Sequence, residues 1–200
     1  MRLLDYEVEL GLVVGRTLSA PTKVMEETLG DWIAGLVLAN DVSARDVQVP
    51  EKQWFRGKSF RGFCPVGPVF FFMEQSDWSR LYDLELTLSV NETVRQKARV
   101  AQMMHRPPET LSLVSSVFDL RVGDLILTGT PGGVAMRVPQ KSRWEEIADA
   151  FVPEKKKMAL FVAAQEASGR YLKEGDRVVA TIRTPDGELD LGQQDLVVTQ

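Results

Sequence analysis

Residues 33–48 read IAGLVLANDVSARDVQ, an apolar run followed by a dense polar stretch. The run is short, and glycines at 30 and 35 flank its start, so it favours a buried strand over a helix. Within eight positions from Asp41, the polar stretch contains two carboxylates, a hydroxyl, a guanidinium and an amide. Such a change is typical of a functional site at the end of a buried strand, but a polar turn capped by Asp41 and Arg45 has the same composition.

The overall composition narrows the class of protein. The chain has 200 residues, 44% of them hydrophobic and 26% charged, which is typical of one soluble globular domain spanning residues 1–200. A net charge of -4 argues against a nucleic-acid partner, and the lysine run at 155–157 is interpreted as a solvated face. The single cysteine, Cys64, fits a reducing compartment, and no apolar run approaches the roughly 20 residues of a membrane span. These features predict a cytoplasmic protein without a membrane partner.

Residues 6–14 alternate between apolar positions and other residues, which predicts a strand. Its apolar members share one face, and Glu7 and Glu9 lie on the other. Carboxylates two positions apart on a strand lie roughly 6.5 to 7 Å apart at their Cα atoms, so both side chains can reach one cation. They also repel each other unless a positive charge lies between them. The solvated face of a half-buried strand is the alternative interpretation.

Hydrophobic periodicity and turn residues predict the remaining elements. Helices are predicted over residues 21–30 (with Val24, Met25, Thr28 and Leu29 inward), from Pro107 to Phe118, around Trp144, and from Met158 to Gly169. Strands are predicted at 69–73, at 84–90 and 94–100 joined by Asn91-Glu92, and after two Leu-x-x-Gly-Asp turns that begin at Leu120 and Leu172. A final hairpin closes at residues 184–187, and a glycine-rich loop follows the first Leu-x-x-Gly-Asp strand at 128–133.

Five stretches resemble signatures of the fumarylacetoacetate hydrolase family, in its carboxy-terminal catalytic domain. They are Tyr6–Gly15, Asn40–Asp46, Gly57–Phe60, Val90-Asn91 with Arg95-Gln96, and Gly123–Pro131. All occur in the family's order, and five matches in register make chance implausible. The resemblance implies an α+β, strand-rich fold of the mixed β-sandwich roll type and a homodimer. It thins over residues 134–169, which are therefore interpreted as a family-atypical helical insertion.

The resemblance also implies the residues of a site. Glu7, Glu9 and Asp41 match the ligands of one Mg²⁺ or Mn²⁺, which agrees with the preference of hard cations for carboxylate oxygens. Lys58 matches the lysine that reaches the substrate's oxygens, and it is assigned a catalytic role together with Arg45. The other matched positions, where family members contact the substrate, are Gln48 and Thr130.

The function implied by the resemblance is that of an enzyme acting on a small acidic 2-oxo or 1,3-diketo compound. Hydrolytic cleavage of a C–C bond in such a compound leaves an enolate, which a chelated divalent metal and Lys58 can stabilise. Decarboxylases, hydratases and tautomerases of the family use the same kind of intermediate, so these reactions stay open as alternatives. A further alternative, from another class, is a metal-binding domain without turnover.

The sequence departs from the family pattern near its start. Members usually carry an amino-terminal segment, which in several supplies a lid with a His and a Glu that activate water. Here the strand begins at Tyr6, so we expect Met1 to be an internal start of a longer natural protein. We also expect the chain to bind metal and a dicarboxylate such as oxalate, but to hydrolyse acylpyruvates poorly. The only histidine, His105, is interpreted as a surface or packing residue rather than as the partner of Cys64 in a nucleophilic pair.

Overall fold

The computed structural model describes residues 1–137 and 152–199, and it confirms the predicted strand-rich α+β fold. The strands are β1 (Leu4–Asp5), β2 (Val8–Val14), β3 (Ile33–Asn40), β4 (Ser43–Ala44), β5 (Val66–Phe72), β6 (Glu85–Val90), β7 (Thr93–Arg99), β8 (Leu125–Leu127), β9 (Arg177–Arg183) and β10 (Asp190–Val197). The α-helices are α1 (Arg45–Glu51), α2 (Trp54–Lys58), α3 (Pro107–Ser115) and α4 (Glu154–Ala167). Short 3-10 helices cover Glu26–Asp31, Asp77–Asp83 and Val100–Gln102.

Two antiparallel sheets of four strands make up most of the β-structure. The first has the order β5-β3-β2-β8, the second has the order β10-β9-β6-β7, and β1 pairs with β4 separately. β2 is hydrogen-bonded on both sides, and its residues are buried on both faces. The close packing around β2 requires a glycine at position 11, because a Cβ there would lie 2.6 Å from a Val37 methyl group.

The apolar core lies between the two sheets. Its fully buried side chains include Leu10, Leu12, Leu36, Leu38, Leu88, Ile182 and Leu191. Burying one such side chain contributes roughly 1.5 to 3 kcal/mol, so this layer is the main source of stability. The side-chain amide of Gln194, on β10, also donates hydrogen bonds to backbone carbonyl oxygens of Leu38, Pro65 and Gly67. The sheets are therefore joined by polar contacts as well as by packing.

The polar stretch after β3 continues into a helix that the sequence did not predict. The chain pairs briefly with β1 through β4 and then enters α1 at Arg45. Asp46 lies in the first turn of α1, where a carboxylate is favourable, and accepts hydrogen bonds from the N–H groups of Arg2 and Leu3 at 3.0 and 3.3 Å. Arg45 and Gln48 are three positions apart on this helix, so their side chains meet on one face.

The predicted helix over residues 21–30 is wrong in its first half. Helical structure begins only at Glu26, and Met25 and Thr28, both predicted to be inward, are exposed. Hydrogen bonds to α3 explain the difference, because the N–H groups of Thr22 and Val24 are bonded to the hydroxyl oxygens of Ser115 and Ser112 at 3.1 and 2.9 Å. The segment before Glu26 therefore runs along α3 without helical structure, although Val24 and Leu29 are buried as expected.

Both Leu-x-x-Gly-Asp turns are confirmed, and they have the same geometry. Gly123 and Gly175 have φ values of 90° and 86°, in the region that favours glycine. The Oδ2 atoms of Asp124 and Asp176 each accept a hydrogen bond at 2.7 Å from the N–H three positions earlier. The turns lead into β8 and β9. After β8 comes the predicted loop at residues 128–133, called the glycine-rich loop below.

The other predicted elements are confirmed with changed boundaries. The hairpin of β6 and β7 turns at Asn91 and Glu92, both with positive φ. β5 begins at Val66 rather than at residue 69. Helix α3 ends at Ser115, so Phe118 lies beyond it and is exposed.

The segment 134–169 is described only in part. Helix α4 confirms the helix predicted before Gly169, whereas the helix predicted around Trp144 lies outside the described residues. Within residues 1–137 and 152–199, no helix combines the length and apolar character that crossing a membrane requires.

Candidate metal and substrate site

Three carboxylates converge where β2 begins and β3 ends. Side-chain oxygens of Glu7, Glu9 and Asp41 all lie within 4.8 Å of one another. Strand register is the cause, because Val8 pairs with Asn40 and the next residue, Asp41, donates its N–H to the Glu7 carbonyl oxygen at 2.8 Å. Glu7 and Glu9 are only 8% and 4% exposed, so they do not form a solvated strand face. The structure thus brings the three predicted metal ligands together.

Two cationic side chains contact these carboxylates. Lys58 Nζ donates to Glu7 Oε2 at 2.7 Å and also to Asp41 Oδ2. Arg45 donates from Nη2 to Glu7 Oε1 and from Nε to Asp5 Oδ2. Burial lowers the pKa of Lys58, but its hydrogen bonds to Asp41 and Glu7 outweigh this effect and leave the pKa above its ordinary value. The two residues predicted to be catalytic therefore lie at the carboxylates in their charged forms.

The cluster contains more negative than positive charge. It consists of four carboxylates and two cations: Asp5, Glu7, Glu9, Asp41, Arg45 and Lys58. Uncompensated charge is costly to bury, and carboxylate oxygens are the ligands that Mg²⁺ and Mn²⁺ prefer. With all four carboxylates ionised, these residues have two more negative than positive charges, which matches one divalent cation, so they fit the metal that the family resemblance implies.

Glu9 is buried against the glycine-rich loop. Its Oε2 accepts a hydrogen bond at 2.7 Å from the backbone N–H of Gly129, in the glycine-rich loop. Burial raises the pKa of Glu9 to about 7, the Gly129 N–H opposes the rise, and the charges of Asp41 and Glu7 add to it. A divalent cation would reverse the shift, because nearby positive charge favours the ionised carboxylate.

Arg45 and Gln48 are buried next to the carboxylates. Their exposed fractions are 4% and 5%, and Gln48 Oε1 accepts a hydrogen bond from Arg45 Nη1 at 2.7 Å. Arg45 therefore holds Glu7 from the protein side, and Gln48 holds Arg45. Direct contact of these two side chains with a substrate stays a prediction.

Asp5 was not predicted as a site residue, and it is fully buried. Its Oδ1 accepts hydrogen bonds from the N–H groups of Tyr6 and Ala135 at 2.9 and 2.7 Å. Its Oδ2 accepts from Arg45 Nε and from the Met136 N–H at 3.0 and 3.1 Å. One carboxylate thus connects the start of β2, helix α1 and the chain after the glycine-rich loop. The only sequence signal was an acidic residue in front of a strand, which is too common to identify a site.

The glycine-rich loop continues from β8 along the first half of β2, from Leu10 back to Val8, which β8 does not pair with. Thr130 Oγ1 donates to the Val8 carbonyl oxygen at 3.0 Å and accepts from Gln96 Nε2 at 2.8 Å. Gly133 has a φ of 115°, and a Cβ there would lie 2.1 Å from the Arg95 carbonyl oxygen, so this position requires glycine. The loop is therefore held close to Glu9, while the predicted contact of Thr130 with a substrate stays a prediction.

Neither Cys64 nor His105 has the environment of a nucleophilic pair. Burial raises the pKa of the Cys64 thiol, which disfavours the reactive thiolate. The His105 side chain is 75% exposed, and its Nδ1 lies 3.8 Å from Glu109 Oε2. His105 is thus a surface residue, as predicted.

Comparison with known proteins gives a family match over nearly the whole chain. The family described as "Fumarylacetoacetate (FAA) hydrolase C-terminal" matches residues 1–197. Oxaloacetate tautomerase YisK of Bacillus subtilis is 37% identical over 131 residues, which are 66% of this chain and 42% of that protein. The mitochondrial oxaloacetate tautomerase fahd-1 of Caenorhabditis elegans is 38% identical over 135 residues, which are 66% of this chain and 60% of that protein. The chain spans about half the length of the curated relatives it matches.

Solved structures give the same family. The fumarylacetoacetate hydrolase family protein ynq8 from yeast superposes with a TM-score of 0.74 at 28% identity, covering 98% of this chain and 67% of that one. The 2-hydroxyhepta-2,4-diene-1,7-dioate isomerase of Mycobacterium marinum has a TM-score of 0.67 at 31% identity, covering 96% of this chain and 57% of that one.

Proposed function

We propose that this chain, which belongs to the fumarylacetoacetate hydrolase family, is an enzyme that processes a small acidic 2-oxo compound with a bound Mg²⁺ or Mn²⁺. The observation that carries the proposal is the convergence of Glu7, Glu9 and Asp41, whose side-chain oxygens all lie within 4.8 Å of one another. Such a donor set suits one hard divalent cation.

The names of the relatives support a 2-oxo dicarboxylate as the substrate. Two relatives are named oxaloacetate tautomerases, and a similar structure is named an isomerase of a hepta-diene dioate. Both names denote dicarboxylates with an oxo or enol oxygen next to one carboxylate. A cluster with excess negative charge repels such an anion, so we expect substrate binding to require the metal.

The proposed mechanism divides the work between the metal and the chain. A divalent ion in this site would supply a Lewis acid for the adjacent oxygens of the substrate. The Lys58 ammonium can donate a hydrogen bond to the substrate's 2-oxygen as that oxygen gains negative charge. Arg45 and the Gly129 N–H hold Glu7 and Glu9 in fixed orientations, so the ligands need not reorganise during the reaction.

Keto–enol tautomerisation is the reaction that these groups support best. It moves one proton between C3 and the 2-oxygen of the substrate: solvent water takes the proton from C3, and the 2-oxygen, to which Lys58 donates a hydrogen bond, is protonated from solvent in turn. No water molecule has to attack the substrate. Hydrolysis of a C–C bond, the first expectation from the family resemblance, needs a base beside a water molecule. In the described part of the chain, the side chains that donate hydrogen bonds to the metal-binding carboxylates are Lys58, Arg45 and Ser43, none of them a neutral base. Hydrolysis, decarboxylation and hydration are the alternatives.

Tautomerisation of oxaloacetate by the purified chain tests this function. We expect the enol absorbance to relax faster with enzyme and Mg²⁺ than with Mg²⁺ alone, and the acceleration to be lost when a chelator is added. Acylpyruvate hydrolysis, measured in parallel, should be slower. If acylpyruvate hydrolysis is faster than oxaloacetate tautomerisation, the hydrolase function replaces the tautomerase proposal. If the chain binds metal but turns over neither compound, the metal-binding domain without turnover is favoured.

Amide replacements test the metal ligands. Glu7→Gln, Glu9→Gln and Asp41→Asn should each weaken Mg²⁺ or Mn²⁺ binding by at least about tenfold in calorimetry, because each removes one charged ligand. Glu85→Gln is the matched control, since Glu85 forms a 2.9 Å ion pair with Lys97 on the surface of the second sheet. Unchanged affinity in all three variants would refute the assignment.

We also infer that the chain forms a homodimer through the outer face of its first sheet. Four apolar side chains on this face are 37% to 67% exposed, and we call them the outer apolar patch: Val66, Phe70, Phe72 and Leu125. They share a face because Phe70 and Phe72 pair with Val37 and Gly35 of β3, and Leu125 pairs with Val13 of β2. A contiguous apolar surface of this kind is typical of an interaction site, and a second copy is the partner that the family resemblance implies.

A further inference from the structure

Val8 is the residue between Glu7 and Glu9, so the position of its backbone bears on both of these proposed metal ligands. It is fully buried, and both its N–H and its C=O group point away from β3. β8, the strand on that side of β2, pairs with Gly11–Val13 and does not extend as far as Val8. A buried backbone group without a partner is costly. The side chains that bind Val8 in place of a strand therefore help to fix this part of β2.

Gln96, on β7 of the second sheet, supplies one of these side chains. Its Oε1 accepts a hydrogen bond from the Val8 N–H at 3.1 Å. Its Nε2 donates to Thr130 Oγ1 at 2.8 Å and to the Pro131 carbonyl oxygen at 2.9 Å. Gln96 pairs with the buried Leu88 of β6 and is itself only 1% exposed, so its side chain points into the core. One buried amide thus joins the second sheet to β2 and to the glycine-rich loop.

Thr130 completes a ring of three hydrogen bonds. Its hydroxyl group accepts from Gln96 and donates its own proton to the Val8 carbonyl oxygen at 3.0 Å, while Val8 donates its N–H to Gln96. We call Val8, Gln96 and Thr130 the Gln96 ring. Each member is both a donor and an acceptor, so the loss of one side chain leaves buried polar groups of the other two unpaired.

The Gln96 ring is connected to Glu9 through the glycine-rich loop. Gly129, whose N–H is bonded to Glu9 Oε2 at 2.7 Å, directly precedes Thr130. Further along, the loop lies directly against β7, since a Cβ at Gly133 would be 3.2 Å from Gln96 Cγ. The residues that follow Gly129 are therefore fixed on the second sheet, and this fixes the direction of the Gly129 N–H towards Glu9.

We propose that Gln96 is a positioning residue of the metal site. It holds the glycine-rich loop and the Val8 backbone in place, and through them it fixes the carboxylates of Glu7 and Glu9. This inference rests on the proposed function, since it takes these carboxylates to bind the metal. Ligands that are already held in their binding geometry lose less conformational freedom when the ion binds, so the ring raises metal affinity.

A matched pair of variants tests this role. Gln96→Met removes the amide and keeps a similar volume. Gln194→Met is the control, because Gln194 is also a buried glutamine that bonds to backbone carbonyl oxygens, but on the β3 side of β2, away from the loop. Three quantities are measured: the denaturation midpoint, the Mn²⁺ affinity by calorimetry, and the amide exchange rate of Gly129 in the metal-free chain by NMR. Amides of β9 serve as the internal reference for global opening.

Both variants should lower the denaturation midpoint, because each removes hydrogen bonds to buried backbone groups. Gln96→Met should also speed the exchange of Gly129 relative to β9 by about tenfold or more, because the loop opens locally. It should weaken Mn²⁺ binding by about fivefold or more. Gln194→Met should leave the relative exchange rate and the Mn²⁺ affinity within about twofold of the parent values.

Thr130 gives a second test that does not depend on the folding of Gln96→Met. Thr130→Val removes the hydroxyl group from the Gln96 ring, whereas Thr130→Ser keeps it. Thr130→Val should therefore show the faster Gly129 exchange and the weaker Mn²⁺ binding, and Thr130→Ser should resemble the parent.

The outcomes that would overturn the proposal can be told apart from a failure of the proposed function. If the parent binds Mn²⁺ but Gln96→Met and Thr130→Val match its affinity and its Gly129 exchange, Gln96 positions nothing, while the proposed function stands. Equal effects of Gln96→Met and Gln194→Met would make Gln96 a residue of general stability. If the parent binds no Mn²⁺, the proposed function fails, and the positioning role fails with it.

Discussion

Asp5 is a fully buried carboxylate that accepts four hydrogen bonds. It directly precedes the family-like stretch Tyr6–Gly15, which contains the predicted ligands Glu7 and Glu9. Glu7 and Glu9 could be identified as candidate ligands because their spacing on a strand has a direct geometric consequence. Asp5 and Arg45 form an ion pair across 40 positions of the chain, so no local spacing relates them. At this scale, the sequence predicts the ligands but not the side chains that hold them.

Replacing Asp5 tests this supporting role. Asp5→Asn should lower the free energy of unfolding by about 3 kcal/mol, because it removes one of the two carboxylates that pair with the buried Arg45 guanidinium, the other being Glu7. Asp46→Asn is the control; it also touches backbone N–H groups near the amino terminus, and it should cost only about 1 kcal/mol. Chemical denaturation of both variants measures the difference. Equal losses would mean that Asp5 acts only as another backbone acceptor.

Lys58 can be separated from the metal ligands by its effect on catalysis. Lys58→Met should leave metal affinity nearly intact and reduce turnover by about tenfold or more, since it removes one stabiliser of developing negative charge. Metal affinity from calorimetry and kcat from the oxaloacetate assay are the two measurements. A collapse of affinity together with kcat would assign Lys58 a structural role instead.

Individual elements were predictable where apolar side chains repeat with a period. The alternation in β6 and the short apolar run of β3 are such cases, and both strands are found. Helices α1 and α2 were not predicted, because their buried residues are Arg45, Gln48 and Gly57, which give no hydrophobic periodicity. The start of the helix predicted at residue 21 failed for a different reason, since hydroxyl groups of α3, distant in sequence, bind the backbone there.

The glycine-rich loop offers a matched pair of variants at this scale. Gly133→Ala should destabilise the chain by about 2 kcal/mol or more, because the new Cβ meets the Arg95 carbonyl oxygen and the backbone is in the left-handed region. Gly132→Ala is the control, since a Cβ there meets no atom within 4 Å. Thermal unfolding of the two variants measures the effect, and metal affinity of Gly133→Ala should also fall because Gly129 shifts away from Glu9. Similar melting temperatures for both would mean that the loop is not fixed at Gly133.

On the scale of the whole molecule, the alternation of residues predicts which side of each strand is buried but not which strands become neighbours. The pairing of β6 with β9 joins residues that are about half the chain apart, and only the family resemblance pointed to such a fold. That residues 1–200 form one catalytic domain stays a prediction.

The proposed dimer gives a prediction for the assembly. Phe72→Glu should shift the chain from dimer to monomer in sedimentation velocity, because it puts a charge in the proposed apolar interface. Phe72 is 67% exposed, so the variant should fold. Val117→Glu is the control, with a similarly exposed apolar side chain after α3. A monomeric parent, or a dimer unaffected by Phe72→Glu, would contradict the proposed interface.

The position of β2 between β3 and β8 links metal occupancy to hydrogen exchange. Backbone amides in a strand that is paired on both sides and buried on both faces exchange with solvent mainly through global unfolding. Glu9 belongs to this strand and Glu7 directly precedes it, so global opening also dismantles the metal site. An ion that binds only the folded chain adds its binding free energy to the stability of the fold. The exchange rate of the β2 amides should therefore fall by the factor 1 + [Mg²⁺]/Kd, and it should continue to fall after the metal site is saturated.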